Sequence, residues 1–320
     1  MLDIVIIGAG PAGISMAVES RAAGVPPERI LVLEKAKEHS FAIRKYYPES
    51  KLVTANYKGF EAVCTGTLCL ADMTKGETLS YLDEAIRDHE VRVRYQETVW
   101  KIHKTASGFS VETDRGSYPT RVLAIAIGIL GKPNKPAYPL PRSLKSRLLF
   151  EIVTQQIRSS KVLVVGGGDS ASEYAQHLSH EGNDVTLSYR GEEFRRMNDI
   201  NRASLLALGE RGSVRLLLSS NVVGIRDSAS RPSVLFGHGG EETFDYVVYA
   251  LGGSAPHDFL KAVGIEFDGP EPVLKDGYET SVPGLFLLGD LSAGRRGGSI
   301  NWAFNSANTA MKRICERYLG

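Results

Sequence analysis

Ile4-Val5-Ile6-Ile7-Gly8-Ala9-Gly10-Pro11-Ala12-Gly13 opens the chain with an apolar run that turns directly into a glycine loop and then a helical pattern. Val162-Leu163-Val164-Val165-Gly166-Gly167-Gly168-Asp169-Ser170-Ala171 repeats the arrangement in the second half. In such a strand–loop–helix unit the first glycine permits the tight turn and the second lets the backbone approach a pyrophosphate. The third small residue lets the helix pack on the strand. The pyrophosphate rests on the helix N-terminus, where free N–H groups and the macrodipole favour negative charge. One loop of this kind is common; two, each behind a strand, predict two nucleotide sites and electron flow between two bound cofactors.

The residue that ends the following strand separates the two sites. Ile30-Leu31-Val32-Leu33 leads to Glu34 and Lys35, with the acid about twenty residues past the loop, where it can accept an adenosine ribose. An amphipathic helix is expected between Gly13 and Gly24. In the second unit Val185-Thr186-Leu187-Ser188 runs into Tyr189-Arg190, with Arg195 and Arg196 close behind and no acid at the tip. Cations there suit a 2′-phosphate, so the second site reads as NADPH rather than NADH.

The rest of the chain sets bounds. It has 320 residues, 42% hydrophobic and 23% charged, with a net charge of +1. That length predicts two domains, and the charge balance argues against nucleic-acid binding. No apolar run approaches a membrane span, and the first strand begins at Leu2, so a cytoplasmic location is expected. Seven His without ligand spacing and three Cys point to no metal site and no disulfide framework.

Gly131-Lys132-Pro133-Asn134-Lys135-Pro136 and Pro139-Leu140-Pro141 form a connector, since proline fixes φ and cannot continue a sheet interior. Boundaries there and near Gly252 give a discontinuous first domain, 1–131 with 252–320, and an inserted second domain, 132–251. Short β runs after a helix around Thr78–His89 suggest a small β-meander returning through Arg121–Ala126 to Gly128. Tyr246–Leu251 ending at Gly252 mirrors it.

With these pieces in order, the chain resembles the low-molecular-weight thioredoxin-reductase-like flavoproteins. The likeness rests on Gly8–Gly13, Ala126-Ile127-Gly128, Gly166–Ala171 followed by Glu173, and Leu288-Gly289-Asp290. It implies an α/β fold of two Rossmann-like three-layer (β-β-α) domains, FAD in the first and NADPH in the inserted second. It assigns Gly8, Gly10, Pro11, Ala12, Gly13, Glu34, Lys35, Tyr47, Gly128 and Gly289 to FAD, with Asp290 on the ribityl chain. The helix opening at Ser299-Ile300 would aim its N-terminus at the flavin, where reduction develops negative charge. Gly166, Gly168, Asp169, Ser170, Ala171, Glu173, Arg190, Arg195 and Gly252 are assigned to NADPH. An intermediate arginine of the family's clamp is Gly191 here.

The departure is as informative. Members that reduce thioredoxin carry Cys-x-x-Cys shortly before the second loop, and Leu144 to Lys161 contains no Cys. A thiolate pair there is what passes electrons to a protein disulfide. Within the dithiol-lacking branch, Gly128–Pro136, Tyr189-Arg190 with Glu193-Phe194, and Tyr249–Ser254 are similar to NADPH:flavodoxin/quinone reductases of this type. No catalytic side chain is implied, because the flavin carries the chemistry. The expected acceptor is flavodoxin, ferredoxin or a quinone, and a homodimer is expected. Bacillithiol-type disulfide reduction and a redox-sensing, non-catalytic role are the alternatives. Cys64 and Cys69 read chiefly as buried small hydrophobes, with a redox pair as the rival, and Cys315 as packing. The basic connector (Lys132, Lys135, Arg142, Lys145, Arg147, with no acid from Gly131 to Phe150) reads either as a solvated hinge or as a docking face for an acidic carrier.

Overall fold

A computed structural model of the chain describes residues 1–49, 51–55, 63–129, 132–152, 155–195, 197–254, 256–294 and 298–319. Arg196, Leu130 and Gly131, all used in the sequence reading, lie outside the described residues. The chain divides into two compact units: 1–44, 52–131 and 255–320 form the first, and 45–51 with 132–254 form the second.

The first unit begins with β1 (Leu2–Ile7), α1 (Pro11–Ala22) and β2 (Ile30–Leu33). Then come α2 (Lys75–Asp88), β3 (Val93–Arg94) and a meander of β4 (Val99–Thr105), β5 (Gly108–Thr113) and β6 (Ser117–Ile125). β1 is buried on both faces, which is why its sequence is an unbroken apolar run. It pairs in parallel with β2, Ile4 opposite Ile30, and with β6, Ile4 opposite Val122. Nine-residue β6 serves more than one partner. Its first half pairs antiparallel with β5 and its second half pairs in parallel with β1. Parallel sheet and meander are therefore one mixed sheet of seven strands. α2 starts at a capping box in which Thr74 and Glu77 satisfy each other's amides, so it begins three residues earlier than the apolar pattern suggests.

The second unit holds β7 (Leu148–Leu149), β8 (Lys161–Val165), α3 (Asp169–His180), β9 (Asp184–Ser188), α4 (Asp199–Glu210) and β10 (Val214–Leu217). An antiparallel trio follows: β11 (Val222–Ser228), β12 (Arg231–Phe236) and β13 (Glu241–Thr243). β14 (Tyr246–Tyr249) then enters a five-stranded parallel sheet ordered β7-β14-β8-β9-β10. The chain returns to the first unit with β15 (Leu285–Leu287), parallel to the end of β6, and α5 (Ile300–Ile314).

Three expectations need correction. α1 is not amphipathic, since every residue from Ala12 to Ser20 is buried. Helix α5 lies against it, and Ser15 and Ser20 donate hydrogen bonds to Phe304 O and Met311 Sδ, so its polar positions face packed protein. Lys45–Lys51, including Tyr47, groups with the second unit rather than the first, as do Gly252–Ser254. Cys64 and Cys69 are half-buried and exposed, and form a disulfide. A tight loop brings their Cα atoms to 5.5 Å, which a five-residue separation read as a helix does not. Cys315 is only half-buried. Among the described residues, no helix is long and apolar enough to cross a membrane.

Candidate active site

The three glycines of the first loop divide their work as the fingerprint requires. Gly8 has φ +104°, and a Cβ there would come 2.6 Å from Ala126 O. A Cβ on Gly13 would fall on the carbonyl oxygen of Gly8, so this glycine lets α1 pack on its own strand. A Cβ on Gly10 would meet nothing within 4 Å. The space over Gly10, at the N-terminus of α1 where Pro11 occupies the first turn, is open to a ligand. Glu34 is 7% exposed and its carboxylate ties the loop to its own strand end, accepting from Ala9 N and Ala36 N, each at 2.8 Å. Lys35 beside it is exposed.

His39 and Ser40 form a support that the sequence did not signal. Ser40 N donates to Ala9 O at 2.8 Å, with Ser40 held at φ +54°. His39 sits between Ser40 Oγ and Asp83 Oδ1, both at 2.9 Å, with Arg44 alongside. Burial lowers the His39 pKa, more than Asp83 raises it.

At the other end of the first unit, Gly128 and Gly289 both have φ +63°. A Cβ on Gly289 would press on Ala12 at 3.0 Å, so this glycine lets the Gly-Asp turn lie against α1. The Asp290 carboxyl has no hydrogen-bond or ion-pair partner among the described residues, and desolvation raises its pKa. Asp290 is half-buried, so its carboxyl can still accept from a ligand hydroxyl at this turn. Ser299 caps α5, its Oγ accepting from Trp302 N at 3.1 Å, and the first amides of that helix have no intrahelical acceptor. Trp302 packs edge-on to Tyr278 and donates to Ser292 Oγ, which is a structural placement.

In the second unit Gly166 (φ +156°) abuts Ala250 O, and Gly168 is open, with nothing within 4 Å of a Cβ. Ala171 N and Ser172 N donate back to Gly168 O. Asp169 Oδ1 accepts from Asn198 N (2.8 Å), Asn198 Nδ2 (2.7 Å) and Asn201 Nδ2 (3.1 Å), so its work is to fix the start of α4 beside the loop. Glu173 pairs with Lys51 at 2.5 Å. Burial lowers the Lys51 pKa, but Tyr47 and Glu173 outweigh it and the net shift is upward. Arg190 and Arg195 are exposed beyond the tip of β9. Gly191 has a physical reason to lack a side chain: a Cβ there would lie 2.6 Å from the Tyr189 ring, which also covers Gly167 and stacks on Phe194 at 5.6 Å. Gly252 has φ +75° and its carbonyl accepts from Asn134 N at 2.9 Å.

Residues 5–289 match the model of the pyridine nucleotide-disulphide oxidoreductase family. The chain belongs to this family. A ferredoxin–NADP reductase of Ignicoccus hospitalis is 30% identical over 300 residues, 91% of this chain and 90% of that one. The bacilliredoxin reductase Bdr of Bacillus subtilis is 28% identical over 308 residues, 92% and 91% of the two chains. Among solved structures, the bacillithiol disulfide reductase Bdr of Staphylococcus aureus superimposes with a TM-score of 0.82 at 22% identity, covering 99% of both chains. The thioredoxin reductase of Lactococcus lactis gives 0.81 at 22% identity, covering 100% of this chain and 99% of that one. The protein is a pyridine-nucleotide oxidoreductase with the fold of the thioredoxin reductases. The open cradle over Gly10 and the Asp290 carboxyl, which has no partner among the described residues, fit a flavin dinucleotide in the first unit.

Proposed function

We propose that the first unit holds FAD, that the second holds NADPH, and that electrons leave for an acidic one-electron carrier of the ferredoxin or flavodoxin type, or for a quinone. FAD supplies the two-electron acceptance and stepwise release that no side chain of this chain can. Gly8–Gly13 and α1 carry the pyrophosphate, Glu34 the ribose and Asp290 the ribityl hydroxyls. The N-terminus of α5 would supply amides that favour the negative charge a bound flavin develops on reduction. Gly166, Gly168 and α3 carry the second pyrophosphate, with Arg190 and Arg195 on the 2′-phosphate.

The observation that carries the acceptor reading is the connector. Lys135, Arg142 and Lys145 are exposed on a stretch with no acid from Gly131 to Phe150. Arg142 and Lys145 also line a surface groove of about 370 Å³ with Leu140, Pro141, Leu148 and Phe150. Cationic rims around a small apolar groove suit a carrier with an acidic face. Arg147 takes no part, because it packs over Tyr246 at 5.1 Å. Reversing Lys135, Arg142 and Lys145 to Glu should slow ferredoxin or flavodoxin turnover about tenfold or more, chiefly through association, and leave small quinones unaffected. Added salt should act similarly on the unaltered protein, screening over about 8–10 Å. Carrier kinetics indifferent to both would show the connector to be a solvated linker.

A second reading, reduction of a low-molecular-weight disulfide, is favoured by the likeness to Bdr and by the Cys64–Cys69 pair. The two readings part at one variant. With a carrier or quinone as acceptor, Cys64→Ser/Cys69→Ser should keep both diaphorase activity and turnover. Collapse of acceptor turnover with intact flavin reduction would favour the disulfide substrate.

A further inference from the structure

The Cys64–Cys69 bridge closes a loop, Thr65-Gly66-Thr67-Leu68, that is stitched to two helices through its backbone. Asn305 of α5 brackets its start, Nδ2 donating to Val63 O at 2.7 Å and Oδ1 accepting from Thr65 N at 3.0 Å. Thr67 N donates to Glu19 Oε1 of α1 at 2.5 Å. Asn301 of α5 brackets its end, Oδ1 accepting from Leu70 N at 2.9 Å and Nδ2 donating to Leu70 O at 3.0 Å. Gly66 is a glycine because a Cβ there would lie 2.5 Å from Glu19 Oε1. Glu19 itself is 5% exposed and is completed by Asn308 Nδ2 at 2.9 Å.

These anchors decide what the bridge can do. They keep both ends of the loop beside α1 and α5 when the sulfurs part, though less firmly than with the bridge closed, so a reduced pair stays close enough to re-form. A cross-link over so few residues removes little chain entropy from the unfolded state, and its effect is local. Cys69 is exposed, which gives an incoming thiolate a path to its sulfur. Exposed bridges are the exchangeable class, and deeply buried ones are inert.

We infer that Cys64–Cys69 is a reversible thiol–disulfide site, opened by dithiols, that sets how firmly this loop clasps α1 and α5. A thiolate of the reductant attacks Sγ of Cys69, and Cys64 leaves as a thiolate and is protonated. The second thiolate of the reductant resolves the mixed disulfide and frees Cys69. The pair gains two electrons and two protons while the dithiol becomes a disulfide. α1 and α5 are also the helices that begin at the Gly8 loop and behind Asp290, so the clasp holds two elements of the proposed flavin site from their sides. The exchange chemistry does not depend on which acceptor the enzyme serves.

The test uses the FAD-loaded full chain in buffers of reduced or oxidised dithiothreitol, without denaturant. Intact-mass alkylation should count two further thiols on reduction and lose them on reoxidation. Amide hydrogen exchange at Thr65, Thr67 and Leu70 should quicken about tenfold in the reduced form. In Cys64→Ser/Cys69→Ser it should stay fast in both buffers. Thiols that react only after denaturation, exchange rates equal in the two redox states, or a redox response that persists in the double variant would each overturn the inference.

Discussion

A Gly10→Val variant should fold normally and purify without its flavin. Gly10 has φ −81° and ψ −178°, ordinary extended backbone for any residue, and a Cβ there touches no protein atom within 4 Å. The space it fills is the space over the helix N-terminus, where a pyrophosphate must come against the backbone. A branched side chain there removes the close approach that the loop exists to provide. Loss of flavin absorbance with an unchanged far-UV spectrum and cooperative melting is the expected result. Gly13→Val is the contrasting control, since its Cβ falls on Gly8 O and the protein itself should suffer. Full flavin occupancy in Gly10→Val would place the pyrophosphate elsewhere.

Removing both Arg190 and Arg195 should lower kcat/KM for NADPH by about a hundredfold while NADH changes little. A charge-assisted contact to phosphate is worth roughly 1.5–3 kcal/mol, or about ten- to a hundredfold each. Both guanidinium groups are exposed, which argues for the lower end of that range. Arg195 has Glu193 at 3.6 Å as its ion-pair partner among the described residues, and the Tyr189 ring crowds position 191. The expected discrimination rests on Arg190 and Arg195 among the described residues. Parallel loss with both coenzymes in steady-state kinetics would show that the arginines position something other than the 2′-phosphate.

Much of the framework was legible because it is local. An apolar run, a glycine loop and a helix are neighbours in sequence, and each glycine's role follows from what its missing Cβ would strike. The capping box at Thr74 and Glu77 was equally local, although the apolar pattern alone placed the helix start too late. What could not be read was set by contacts far apart in the chain. Glu19 lies within the helix expected to be amphipathic, yet it is buried beneath a loop almost fifty residues on. Asn301 and Asn305 gain their meaning from Ala55, Val63, Thr65 and Leu70, which come to them from over two hundred residues away. From sequence Cys64 and Cys69 read chiefly as buried small hydrophobes, with a redox pair as the rival, and it is the tertiary anchoring of their loop that turns them toward each other. Tyr47 shows the same limit: sequence order put it in the first unit, whereas Lys45–Lys51 packs with the second, where Lys51 reaches Glu173.

Anaerobic stopped-flow absorbance in two stages tests the central claim, that electrons pass from NADPH through FAD to a carrier without a thiol. NADPH should bleach the flavin band of Cys64→Ser/Cys69→Ser as fast as that of the unaltered protein, and faster than NADH does. Mixing either reduced protein with oxidised ferredoxin or flavodoxin should restore the flavin band at the same rate, with slowing at high salt. A flavin that NADPH reduces but that only disulfides reoxidise, and only when Cys64 and Cys69 are present, would contradict the account.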